Sequence, residues 1–353
     1  MCESKSIIQL EENVTSFNLY NITLNKIKDY YKNYYKFEKK PITLSFEKVN
    51  YIDPIAITVI VLIGIHLRNF HKKPIGLKLI YKLDIIQYLY NIRFFIIADK
   101  FHVFDYDKNF LGGFNEKTYR DIHKIQEFKS YSKYYSLNDY DRRIFKDRLY
   151  DTLFKYDIPE YCSKILIDKH IFSEDQIPII IKTISELVCN SSLYSNSIPI
   201  CYVHTNRYRS IISIGDVGIG FSESLKYNKT INYKLTSIFK KNKLYEPIIN
   251  NLNDYITIFE VLNFSMNQPR SNLWTLKNMI VNNNSIIRIH YNATQVVFSG
   301  SRCANCNKSA YDCSLCLLNS YNYNKQKSPV RFFNTGLNGV HIEVELRCDY
   351  DNI

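Results

Sequence analysis

The chain has 353 residues, of which 46% are hydrophobic and 23% charged, and its formal net charge is +12. That balance excludes a disordered or fibrous chain, and the length suffices for two or three domains with a sizeable core. No run of about eighteen apolar residues stands out, and the start, MCESKSIIQLEENV, lacks a basic end followed by an apolar stretch, so no membrane contact and a cytoplasmic location are expected.

Lysine and arginine are spread along the chain, as in Lys26 to Lys40 and Lys226 to Lys243, and form no long basic block. Solvated surface is the first reading of that charge, with a nucleic-acid or other polyanion partner ranked behind it. Residues 17 to 105 alternate between strand and helix patterns. Ile42 to Phe46 reads as a strand and Pro54 to Asn69 as an apolar helix with Asp53 as its cap and Pro54 in its first position. Ile75 to Ile80 follows as a strand, Lys82 to Ile92 as a helix and Phe94 to Ile97 as a further strand. The order is that of a small βαβαβ module over residues 1–105, an α/β fold.

With the phrase ITLSFEKVNYIDPIAITVIVLIGIHLR, this order resembles the STAS domain of anti-sigma-factor antagonists and sulphate transporters. In that family an Asp-Ser-Ser-Gly sequence at the helix start carries a phosphorylated serine. Here the corresponding residues are Asp53, Pro54, Ile55 and Ala56, which offer no hydroxyl. Residues 106–165 are polar and rich in tyrosine and lysine, with a helical tendency over Asp139 to Phe154, and read as a connecting region.

Ile184 to Phe221 carries the most informative chemistry. It opens in a run where Ile177, Ile180, Ile181, Ile184, Leu187, Val188 and Ser191 fall mostly on one helical face, while Glu186 and Asn190 lie four apart on another. Two strand-like runs follow, Ile200 to His204 and Ser210 to Ile214, and the second enters Asp216-Val-Gly218-Ile-Gly220. A carboxylate leaving a strand into a glycine-spaced turn suits a nucleoside pocket.

Helix Glu-Leu-x-x-Asn followed by strand Asp-x-Gly-x-Gly resembles the GHKL-type ATP-binding domain of histidine kinases, type II topoisomerases and anti-sigma-factor serine kinases. The resemblance covers about residues 166–353 and implies a two-layer α/β sandwich. It further implies that Asp216 accepts the adenine amino hydrogen, that Asn190 holds Mg²⁺, and that Glu186 acts as the catalytic base. Gly218 and Gly220 would let backbone approach the nucleotide. The family's second glycine motif aligns with FEVLNFSMNQPRSNLWTLKNMI, where Arg270 and Asn272 replace the glycines that face the phosphates; Leu225 to Asp254 corresponds to a lid. The activity implied is ATP hydrolysis or phosphotransfer to a protein. The alternative is a catalytically silent scaffold or nucleotide-sensing module, for which a protein partner, including a second copy of the chain, is expected.

Strand patterns recur at Ser285 to His290, Gln295 to Phe298, Val330 to Phe333 and Val340 to Leu346. Nine cysteines is an odd number for a disulfide framework, and four of them, Cys303, Cys306, Cys313 and Cys316, form two Cys-x-x-Cys hooks within residues 302–317. That spacing suits a structural tetrahedral Zn²⁺ knuckle, with an iron site or a redox pair as weaker alternatives.

Overall fold

The computed structural model describes residues 7–34, 42–79, 82–112, 124–167, 176–206, 209–226, 251–266, 273–300, 309–322 and 324–347. It is a mixed α/β structure with a four-stranded parallel sheet, a five-stranded antiparallel sheet and a short parallel pair, and one long apolar helix packs between the two larger sheets.

The N-terminal half is built on four parallel strands in the order β1 (Ile7–Gln9), β3 (Thr43–Ser45), β5 (Ile75–Lys78) and β6 (Phe104–Asp105). A short parallel pair, β2 (Asn13–Val14) with β4 (Tyr51–Ile52), leads into helix α3. Between β2 and β3 run α1 (Ser16–Asn18), a π-helical turn (Leu19–Thr23) and α2 (Leu24–Tyr34). Helix α3 (Pro54–His71) starts as expected: the Asp53 carboxylate accepts a hydrogen bond from the Ile55 amide and Pro54 occupies the first turn. Helix α4 spans Leu83–Asn91.

The strand expected at Phe94 to Ile97 is instead helix α5 (Phe94–Lys100). Phe94, Phe95, Ile97 and Ala98 are buried while Ile96 is 57% exposed, a spacing that an alternating strand cannot produce. Arg93, with φ 64°, turns the chain sharply out of α4 and starts the new helix. The remaining edge of the parallel sheet is β6.

The C-terminal half is a five-stranded sheet in the order β10 (Ile286–Ser299), β11 (Val330–Arg347), β9 (Arg209–Gly215), β8 (Ile200–Thr205) and β7 (Gln126–Glu127), antiparallel throughout. Four strand-like runs merge into two long strands, because β10 and β11 continue through a register shift at Tyr291 to Thr294. The connecting region contributes to this layer directly. Its β7 is the edge strand, and its helices α6 (Asp139–Thr152) and α7 (Ile158–Ile167) pack on α8 (Gln176–Tyr194). Helices α10 (Leu252–Met266), α11 (Leu273–Asn282) and α12 (Ala310–Asn319) join α8 in the core on one face of the sheet.

Helix α3 packs on the other face, against β8, β9 and β11. It meets the length and apolarity of a membrane span, contrary to the expectation that no such run exists, yet 67% of it is buried inside the protein. Its apolarity all round follows from having a sheet on either side. A Cβ at Gly64 would lie 2.3 Å from Val103, beside β6, and one at Gly215 would lie 2.5 Å from Leu62. Thr58 Oγ1 donates to the Ser213 carbonyl, and Ser213 Oγ donates to that of Ile55. Ile200, Tyr202, Phe333 and Leu337 of the C-terminal sheet accordingly belong to the hydrophobic core of the N-terminal half.

Candidate functional site

The helical face of the antiparallel sheet holds an open cavity, whose empty space together with the solvent at its mouth is about 940 Å³. Ile214, Val340 and Ile342 of the sheet form its floor. Helix α8 supplies Glu186, Leu187, Asn190, Ser191 and Tyr194 along one wall. The facing wall consists of Phe221, Ser224 and Leu225 from α9 (Gly220–Lys226), with Val261, Phe264 and Leu273 from α10 and α11. The slot is mainly apolar, and Asp216 is its buried carboxylate on the sheet side.

Asp216 is 4% exposed. Its Oδ2 accepts from Ser191 Oγ at 2.7 Å and its Oδ1 from the Gly218 amide at 3.0 Å. Burial pushes its pKa up to about 6, with the hydrogen bonds from Ser191 and from backbone working against the rise. A carboxylate held this way retains lone pairs that can accept a proton from a ligand's amino group.

On α8, Ile180, Ile184, Leu187 and Val188 are buried in the core. Glu186 and Asn190 are one turn apart and point to the cavity, where Asn190 Nδ2 donates to Glu186 Oε1 at 2.9 Å. The Asn190 carbonyl oxygen is thereby the amide's remaining acceptor, the atom suited to a hard cation.

The glycines of the Asp216 turn have a reason inside the protein. A Cβ on Gly218 would stand 1.8 Å from the Ser195 carbonyl oxygen, and the next amide, Ile219, donates to that same oxygen at 2.8 Å. Gly218 therefore clamps the turn to the C-terminal end of α8 and is not among the cavity's lining residues, whereas Gly220 lines the cavity with φ +70°. Gly218→Ala is expected to displace the Ser195 backbone, break the Gly218–Asp216 hydrogen bond and cost about 1–3 kcal/mol. Thermal denaturation measures this, and an unchanged midpoint would mean that the turn is not clamped.

Sequence reasoning missed several lining residues. Spacing puts Ser191 on the apolar face, and as the polar member of an apolar stripe it carries a signal that the structure explains through its hydrogen bond to Asp216. Lys146 reaches the cavity from α6, with its ammonium 5.5 Å from the Tyr194 ring centre, and nothing local in the sequence marked it.

Arg270, Asn272, Cys303 and Cys306 lie outside the described residues, as does nearly all of the expected lid. Leu273, the first residue of α11, lines the cavity. Cys313 and Cys316 are on helix α12 rather than in a turn, Cys313 fully buried and Cys316 partly so. Cys162, Cys189 and Cys201 are buried free thiols, and burial pushes Cys162 and Cys189 up to about 12, which makes them inert.

Comparison with protein-family models, with curated proteins and with solved structures gives no match. The site therefore has to be read from its own chemistry.

Proposed function

We propose that the chain is an ATP-binding regulatory protein of the GHKL type, with its nucleotide in the cavity between α8 and the antiparallel sheet. One observation carries the reading: a buried carboxylate, Asp216, held by Ser191 and the Gly218 amide on the sheet side of an apolar slot whose wall carries Glu186 and Asn190. An adenine ring suits such a slot, since it has two flat apolar faces and one amino group for the carboxylate. Mg²⁺ would be held through the Asn190 carbonyl, and Lys146 at the same cavity is a cation for the phosphates. Arg270 and Asn272, shortly before Leu273, are the further phosphate candidates, and Glu186 is the base for water or for a protein hydroxyl.

On this reading the N-terminal half is a STAS-like module without the phosphoacceptor serine, the four cysteines hold Zn²⁺, and the protein acts in the cytoplasm on another protein. The scaffold or sensing alternative keeps support from Arg270 and Asn272, whose side chains obstruct close backbone approach to phosphate.

Calorimetric titration of the full chain with ATP and Mg²⁺ decides between these readings. Saturable one-to-one binding is expected, with Glu186→Gln binding equally and losing about 10²–10⁴ in turnover. Binding without turnover in the wild type would favour the sensing module, and no binding by the folded protein would overturn nucleotide recognition altogether.

A further inference from the structure

The opposite face of the same sheet, turned toward the N-terminal half, carries a second constellation. Strand register sets His290 of β10 directly across from His341 of β11, and Glu343 lies two residues further along on the same side. All three are 1–2% exposed. Tyr20, in the turn between α1 and α2, stacks on His290 with ring centres 4.4 Å apart and closes the cluster from above.

The protons around this cluster can be assigned. Ser213 Oγ donates to the Ile55 carbonyl, so the His341 Nε2 that meets it at 2.8 Å carries the hydrogen, and Nδ1 keeps its lone pair. That Nδ1 has no hydrogen-bond partner and lies 3.6 Å from Glu343 Oε1. Arg331 donates to Gln295 Oε1, which turns the Gln295 amide nitrogen toward His290 Nε2 at 2.6 Å and makes this ring nitrogen an acceptor as well. His290 Nε2 is also 3.0 Å from Glu343 Oε1, so two acceptors face one another with no proton between them. Glu343 Oε2 and His290 Nδ1 are buried without a hydrogen-bond partner too. A buried polar group left in that state is costly.

Charge points the same way. The carboxylates Asp53, Glu343 and Glu345 share the guanidiniums of Arg209 and Arg288 in this layer. Both guanidiniums are engaged by Glu345, at 3.0 and 3.1 Å, while Arg288 comes no nearer than 3.9 Å to Glu343. The basic groups closest to the Glu343 carboxylate among the described residues are thus the His290 and His341 rings, at 3.0 and 3.6 Å.

We propose that His290, His341 and Glu343 bind one divalent transition-metal ion, Zn²⁺ in kind, as a structural tie between β10 and β11 beneath Tyr20, the Gln295 amide giving up the His290 Nε2 lone pair to the ion. The three donor atoms lie within 4.8 Å of one another. Tetrahedral bonds of about 2.0–2.1 Å place ligand atoms about 3.4 Å apart; Glu343 Oε1 stands 3.0 and 3.6 Å from the two imidazoles, and the full 4.8 Å spread closes by drawing the rings onto the ion. Two imidazoles and a carboxylate are a set for Zn²⁺ and its neighbours rather than for Ca²⁺ or Mg²⁺. The second nitrogen of His341 is fixed by Ser213, as metal-bound histidines require. With the cluster this deeply covered, the ion is taken up as the N-terminal layer closes, and removing it requires unfolding. The site lies on the opposite face of the sheet from the cavity and shares no residue with the set of four cysteines.

The test is metal content by mass spectrometry on the full chain refolded with Zn²⁺, in a Cys303→Ser/Cys306→Ser background that disables the cysteine set. One equivalent of zinc is expected, and none in the same background carrying His341→Gln or Glu343→Gln, with folding checked by circular dichroism. Cobalt refolding supplies a second readout that needs no ligand variant: a visible d–d spectrum without thiolate charge-transfer bands. No metal in the folded background protein, or an imidazolium resonance of His290 paired with Glu343, would overturn the proposal. A cobalt spectrum with thiolate bands would overturn it equally.

Discussion

Replacing Asp216 by asparagine is expected to make the protein more stable at pH 8 and, with ATP in the cavity as proposed, to weaken its binding. The side chain is 4% exposed, and burial raises its pKa from 3.8 to about 6. The native state therefore holds this proton more tightly than the unfolded chain does. The sign follows from linkage: stability falls as pH rises from about 4 to about 6 and is level above, where the ionised group costs up to roughly 3 kcal/mol. Asparagine removes the charge and keeps the shape, accepting from the Gly218 amide and donating to Ser191 with its nitrogen. The gain in melting temperature should appear at pH 8 and vanish at pH 4.

Binding should move the other way in the same variant. The amide presents a donor where the adenine amino group needs an acceptor, and the loss of a hydrogen bond to a charged group corresponds to roughly 10- to 100-fold in affinity. In the wild type, affinity should weaken as pH drops through about 6. A variant that is stabilised but binds ATP normally would remove adenine from Asp216. One destabilised at pH 8 would mean that the carboxylate's hydrogen bonds outweigh its burial.

How far such residues could be read in advance depended on how local their signals are. Glu186 and Asn190 share a helix face by spacing alone, and Asp216 sits where a strand meets a glycine turn, so both motifs were legible, and the fold brings them to one cavity. The cap and first turn of α3 were legible for the same reason. Phe94 to Ile97 was misread because four apolar residues in succession fit either period, and only the exposure of Ile96 separates them. His290 and His341 could not have been connected at all. Fifty-one residues of sequence separate them, and they meet only through the register of β10 and β11. Nor does any local pattern say that α3 packs on the sheet of the other half, since a helix apolar all round specifies burial without naming what buries it.

That packing carries the largest stability effect expected here. Leu62 is 1% exposed on α3 and meets β9 so closely that Gly215 has no room for a Cβ. Leu62→Asp would bury a charge with no partner between two sheets, at a cost expected to exceed about 4 kcal/mol. Phe70, on the same helix but 62% exposed beside the Tyr31 and His71 rings, is the control, and Phe70→Gln should cost no more than about 1 kcal/mol. The single tryptophan, Trp274 on α11, lies in the core on the far side of the antiparallel sheet and reports on the C-terminal half alone. If the halves were independent, its fluorescence transition in urea would be untouched by a change in α3. Because Tyr202, Phe333 and Leu337 complete the N-terminal core from the C-terminal sheet, the Trp274 transition is expected to move with the circular dichroism transition to the same lower urea midpoint. A Trp274 midpoint equal to that of the wild type would show the halves to be separable, and the N-terminal half could then be removed without unfolding the cavity.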